Sequence, residues 1–166
     1  MSEQDQQSFR TFLSEFTCVV DAQRRLALPK LWRLDSDTEN TRFLISPGPG
    51  PSINFHTFDH FQELLRRAMS APEDEESQNY LTQTAAYSSV VTLDKQGRFS
   101  LTPQLMEYAG IKDKVICVGV WTYGRIMSPE NYAANKVPLS QSISYQSSLK
   151  PKATITETKV SVTETL

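Results

Sequence analysis

The chain has 166 residues, of which 39% are apolar, and a net charge of −2. That length accommodates one compact domain or two small ones, and no apolar run approaches the roughly 18–20 residues of a membrane-spanning helix. The opening MSEQDQQSFR has neither the basic nor the apolar region of a secretory leader, so a soluble, cytoplasmic protein without a membrane partner is expected.

In chain order, the first segment of note is TCVVDAQRRLALPKLW (Thr17–Trp32), where an apolar stretch runs into Asp21, then Arg25, then a second alternating stretch. This pattern predicts strand, tight turn, strand. A short apolar strand, FLIS (Phe43–Ser46), follows. The segment PGPGP (Pro47–Pro51) lacks the Lys-Ser/Thr of a phosphate-binding loop and reads as a rigid hairpin connection. Thr57 is expected to cap a helix with Phe58, Phe61, Leu64, Leu65 and Met69 along one face. The acidic run Glu73–Glu76 reads as a solvated loop that turns helical towards Tyr80 and Leu81.

The second strand–turn–strand, VVTLDKQGRFSLTPQL, spans Val90–Leu105. Asp94 can bond its own turn backbone and Gly97 supplies a positive φ, so a hairpin is expected here. Val91, Leu93, Phe99 and Leu101 alternate with Thr92 and Ser100, as in half-buried strands. Pro103 opens a short helix that Gly110 closes. After the strand VICVGV, Ser128 and Pro129 open a last helix as cap and first residue. The Ser- and Thr-rich stretch beyond Lys136 has no sustained core pattern and is expected to be disordered.

These two series are one series written twice. Asp21 falls on Asp94 and Arg25 on Arg98, and the elements downstream match in type, order and approximate spacing. The expected organisation is a first half-domain over 1–70, a linker over 71–86, a second half-domain over 87–135 and a tail over 136–166.

A single Asp-x-x-x-Arg turn reads as a carboxylate ordering a hairpin, with a surface ion pair worth about 0–1 kcal/mol. Two at matching positions point further. They present spaced guanidinium groups on a β-platform, as a two-stranded ribbon needs to enter the major groove or grip phosphates. Other candidates are weaker. His56 and His60 have the spacing of two metal ligands on a helix, but His56 falls in a strand and no third ligand is in view. They read as ordinary surface or rim histidines. Trp32 and Trp121 read as core or interface residues. Cys18 and Cys117 sit in apolar runs without partners at metal spacing and read as small buried hydrophobes. No catalytic constellation, metal set, cofactor or small-molecule substrate is indicated, so the chain is not expected to be an enzyme.

The stretch LDKQGRFSLTPQLMEYAGIKDKVICVGVWTYGRIMSPENY resembles the second half of the MraZ proteins, which pair a D-K-Q-G-R turn with an E-Y-A-G helix end and an apolar strand. With the first copy included, the resemblance covers about residues 11–135. It implies an α+β, mainly β fold: two tandem AbrB/SpoVT-like swapped-hairpin half-domains forming one pseudo-symmetric, β-barrel-like domain with short helices. It also implies a nucleoid-associated regulator that assembles into homo-oligomeric rings. Such a regulator would bind double-stranded DNA at short direct repeats upstream of the division and cell-wall gene cluster.

The family's paired arginines fall on Arg25 and Arg98, and its turn lysine on Lys95; Asp21, Asp94 and Gly97 hold the turns. The first copy departs from the pattern, because Arg24 stands where the turn glycine belongs. Arg24 restores the charge that Gln23 loses and is a fourth expected DNA contact. An arginine at positive φ carries a steric cost, so either that turn has changed type or the cost is offset elsewhere. The competing class is an oligomeric β-rich scaffold that no longer reads DNA.

Overall fold

The computed structural model describes residues 10–150. Its class is α+β, mainly β. The strands β1 (Glu15–Val19), β7 (Lys114–Gly119), β8 (Gly124–Met127), β4 (Ser52–Thr57), β3 (Arg42–Gly48) and β5 (Ser89–Thr92) lie side by side in that order. Every neighbouring pair is antiparallel. A separate two-stranded ribbon pairs β2 (Arg25–Ala27) with β6 (Arg98–Ser100).

The strand order carries the internal repeat. The β3–β4 hairpin and the β7–β8 hairpin meet at the β4–β8 pair in the middle of the sheet. The opening strand of each copy then pairs with the other copy's hairpin: β1 lies on β7, and β5 on β3. The two copies therefore interleave.

One expectation needs correction, and a second is met only locally. The sheet is open, with β1 and β5 as its edges, so no closed barrel forms. Each edge strand runs into an Asp-x-x-x-Arg segment that leaves the sheet for the ribbon. Each segment keeps the local hydrogen bonds of a tight hairpin turn, but its two arms belong to different sheets, so it serves as a corner between them. In the first, Asp21 N donates to Arg25 O at 3.0 Å, the one backbone hydrogen bond between these two residues. Beyond it β1 is held by five residue pairs with β7, and β2 by three with β6.

The core lies beneath the sheet and the ribbon. Phe12, Trp32, Phe43, Phe55, Leu26 and Phe99 are buried in one cluster, and Trp32 donates its indole N–H to Leu13 O at 2.8 Å. Trp121 is instead 65% exposed, so it is not a core residue. It turns the corner between β7 and β8 at positive φ, where its polar indole edge can stay in water. Cys117 is buried, whereas Cys18 on edge strand β1 is only partly so.

Helix termini follow their chemistry. Thr57 caps α1 (Phe58–Met69) by accepting from His60 N, and Thr102 caps α3 (Pro103–Ala109), which ends at Gly110 in the left-handed region. Ser128 Oγ accepts from Asn131 N at the start of α4 (Pro129–Asn135). The acidic run is not a loop. Asp74 caps α2 (Glu75–Tyr87) by accepting from Ser77 N, and Glu75 and Glu76 fill its first turn. Negative charge at a helix N-terminus is favoured by the exposed N–H groups and the helix dipole.

The first compact unit ends at Asn135, and Lys136 opens a second. Part of it departs from the expected disorder, since α5 occupies Leu139–Ser148. Leu139 and Ile143, both exposed, fall four apart on one side of the helix, and Ser144 and Ser147 hydroxyls return to the carbonyls of Ser140 and Ile143. The residues from 151 onward lie outside the described part. Among the described residues no helix is long and apolar enough to cross a membrane.

Candidate nucleic-acid interface

The two Asp-x-x-x-Arg corners are built alike. Asp21 Oδ1 accepts from the backbone N–H of Gln23 and of Arg25, both at 2.9 Å, and Oδ2 from Arg25 Nε at 2.7 Å. Asp94 repeats the set with Gln96 N at 2.9 Å, Arg98 N at 3.0 Å and Arg98 Nε at 2.8 Å. Arg24 N donates to Asp21 O and Gly97 N to Asp94 O, each at 2.9 Å. These bonds favour the ionised carboxylate. The backbone N–H of Arg25 is the first cause holding Asp21 below the usual carboxylate range, and that of Arg98 does the same for Asp94.

The turn type is the same in both copies. Arg24 sits at φ 60° and Gly97 at φ 73°. The arginine therefore bears the left-handed conformation rather than changing the turn. Its Nε donates to Leu101 O at 3.3 Å. Arg33, which the sequence reading did not single out, packs against Gly97 and donates from Nε to Leu28 O at 2.7 Å.

The corners deliver Arg25 and Arg98 to the ribbon. In its register Leu26 faces Phe99, with Arg25 opposite Ser100 and Arg98 opposite Ala27. Side chains alternate across a strand, and Leu26 and Phe99 are buried. Arg25, Ala27, Arg98 and Ser100 thus share the ribbon's outward face. The two arginines stand on either side of the central pair, their side chains about 30% exposed at 32% and 29%. Arg98 Nη1 is also 4.0 Å from Asp21 Oδ2 across the ribbon. Lys95 is exposed at the tip of the second corner, and Arg24 at the tip of the first.

The ribbon therefore gathers four of the expected cationic side chains at adjoining corners, against the two carboxylates that order them. With Nε of Arg25 and of Arg98 committed to aspartate, their terminal nitrogens carry the remaining donors, and Nη2 of Arg98 gives one to Gln96 Oε1 at 3.1 Å. Lone sequence inspection finds Arg25 and Arg98 because they repeat. It misses Arg33 because the corresponding position holds Met106.

His56 differs from the expected surface or rim position, whereas His60 is half-buried, as a rim residue is. His56 is buried on β4, with its Nδ1 3.2 Å from His60 Nδ1 and its Nε2 3.3 Å from Ser46 Oγ. Burial first, then His60 and Arg125, lower its pKa to about 4. Among the described residues no group of three or more His, Cys, Asp or Glu is placed to hold a metal ion.

No family model matches the chain. Individual relatives do. A protein of Thermomicrobium roseum named transcriptional regulator MraZ is 33% identical over 124 residues, which cover 74% of this chain and 85% of the relative. A transcriptional regulator MraZ of Lachnoclostridium phytofermentans is 23% identical over 124 residues, covering 75% of this chain and 86% of the relative. With the repeated corners in place and a relative matched over most of its length, the chain belongs to the MraZ family.

Proposed function

We propose that this protein is a DNA-binding transcription regulator, not an enzyme, and that it engages duplex DNA through the outward face of the β2–β6 ribbon. The observation that carries this reading is the placement of Arg25 and Arg98 on one face of a two-stranded ribbon about a buried Leu26–Phe99 pair. A two-stranded β-ribbon fits the major groove, and guanidinium groups read guanine edges or grip phosphates there. Lys95 and Arg24 flank the pair and add phosphate contacts. Asp21, Asp94 and Gly97 hold the corners that aim it.

The finer picture extends the same reading. The exchange of β1 and β5 between the two hairpins supports a swapped-hairpin organisation of two half-domains. One ribbon offers few charges, so a single subunit binds weakly and with strong salt dependence. A homo-oligomeric ring would multiply the face and engage successive short direct repeats by avidity, provided their spacings agree. Such repeats would lie upstream of the division and cell-wall gene cluster, giving a cytoplasmic, nucleoid-associated protein that needs no cofactor. Concentration of charge at the ribbon reconciles DNA binding with the net charge of −2.

A scaffold reading has one observation in its favour: both arginines spend Nε on their own aspartates. The deciding experiment is a mobility-shift titration with the promoter duplex of that gene cluster at two salt concentrations. The native protein is compared with the Arg25→Ala/Arg98→Ala variant. Specific, salt-sensitive binding lost in the variant supports the regulator. Equal, weak binding of any DNA by both proteins leaves the arginines structural and favours the scaffold.

A further inference from the structure

The two corners share a backbone but not a support. Leu28 follows β2 and Leu101 follows β6, and they are counterparts in the repeat. Leu28 N donates to Gly97 O at 2.9 Å, and Leu101 N to Arg24 O at 2.8 Å. Each corner is thus tied to the far end of the opposite ribbon strand. The carbonyls of the same two leucines are each capped by a guanidinium. Arg33 Nε reaches Leu28 O at 2.7 Å, and Arg24 Nε reaches Leu101 O at 3.3 Å.

These two arginines do not correspond in sequence. Arg24 corresponds to Gly97, and Arg33 corresponds to Met106 in α3. The glycine and the arginine of the second corner belong together: a Cβ added at Gly97 would lie 2.5 Å from Arg33 Cζ. A side chain there would displace the Arg33 guanidinium from its present position. In the first corner the turn residue carries the guanidinium itself, and the position that would have supplied it from outside is a methionine packed against the core. Each corner therefore has one guanidinium on one leucine carbonyl, sent there from a different place in the chain.

From this exchange we propose that Arg24 and Arg33 are equivalent as positioning residues through their Nε–carbonyl bonds, which fix the two corners and with them the spacing of Arg25 and Arg98, while the terminal nitrogens of Arg24 alone keep the added role of a phosphate contact. The glycine-to-arginine departure in the first corner is on this account compensated by methionine at position 106. The effect on DNA rests on the ribbon being the contact face. The physical basis is direct. A three-residue strand has few bonds to hold its ends, and a backbone carbonyl there needs a donor. A planar guanidinium supplies one in fixed geometry. The steric cost of positive φ at Arg24 is set against that bond.

The test rebuilds the second corner in the manner of the first, using Gly97→Arg, Arg33→Met and the two together. Each full-length protein is measured by urea unfolding without DNA, and by titration of the promoter duplex at several salt concentrations. Arg33→Met is expected to lower the urea midpoint and to weaken DNA binding about three- to tenfold, the usual range for one lost hydrogen bond. Its salt slope should stay unchanged, since it removes no phosphate contact. Gly97→Arg alone is expected to lower the midpoint further through overlap. The double variant should recover both midpoint and affinity to within about twofold, the non-additivity that coupled neighbours show.

A double variant no better than Arg33→Met overturns the exchange, and this comparison stands even where Gly97→Arg alone fails to fold. A salt slope reduced by about one in Arg33→Met at an unchanged midpoint also overturns it, by making Arg33 a phosphate contact. If the native protein ignores the duplex, the ribbon's role in DNA binding fails, while the urea series still decides whether Arg24 and Arg33 are equivalent.

Discussion

Leu26 and Phe99 face each other at the centre of the β2–β6 ribbon, both buried, with Arg25 and Arg98 on either side of them. Phe99 also packs on Phe55 of β4, ring centroids 4.8 Å apart, so the ribbon is pinned to the main sheet through its own midpoint. Phe99→Ala should cost about 3–5 kcal/mol and Leu26→Ala about 2–5 kcal/mol, as buried large-to-small changes do. Urea unfolding checks both. Losses below about 1 kcal/mol would mean that the arginine face is anchored elsewhere.

The proposed contacts differ in what they should do to salt dependence. Lys95→Ala removes one exposed charge and should lower the slope of log affinity against log salt by about 1, weakening all duplexes alike. Arg25→Ala or Arg98→Ala should cost more on the preferred duplex than on random DNA, because a base-edge contact contributes about 1–3 kcal/mol of discrimination. Equal losses on both duplexes would reassign those arginines to phosphate.

His56 makes stability depend on pH in a defined window. Its folded pKa of about 4 lies below the unfolded value of 6.5, principally because the ring is buried. The folded chain thus binds fewer protons than the unfolded chain between those values. Stability is full above about pH 6.5 and falls as pH drops towards 4, by on the order of 3 kcal/mol in total. His56→Gln should flatten that part of the stability profile. An unchanged profile would mean that the unfolded and folded chains protonate there together.

Gly119 is held against backbone, not against a movable side chain. A Cβ there would meet Phe12 O and lie 2.5 Å from Leu13 N, at the bridge that ties residue 12 to Trp121. Gly119→Ala should destabilise the chain by at least about 2 kcal/mol. Gly110→Ala, where nothing lies within 4 Å, meets only the cost of its left-handed backbone, about 1 kcal/mol. A reversed order in thermal melts would contradict this ranking.

Local chemistry made much of this molecule legible. Thr57, Ser128, Pro103 and Gly110 mark helix ends by what their side chains or backbones can do, and each element falls where they place it. The Asp-x-x-x-Arg repeat located the corners because a carboxylate two and four residues from backbone N–H groups has few other conformations. Strand partners were less accessible. Alternation at Val91 and Phe99 announces strands but not that β5 goes to β3 while β6 goes to β2. Asp74 was hidden as a helix cap by the very charge density that made its neighbours look like solvent. Arg33 was invisible for a different reason: its meaning depends on an empty space at Gly97, which exists only in three dimensions.

The pairing of β1 with β7 and of β5 with β3 has a consequence for how the chain folds and where it can be divided. Neither copy holds a complete sheet, so a polypeptide ending after α1 or starting at β5 lacks an edge strand and half of its ribbon. Such fragments should be unstructured separately and should fold when mixed, each supplying the other's missing strand. For the intact chain, β1 must wait until most of the sequence has been synthesised before its partner exists. Contacts this distant close large loops first, which slows folding, and α2 is the tether that makes the encounter intramolecular.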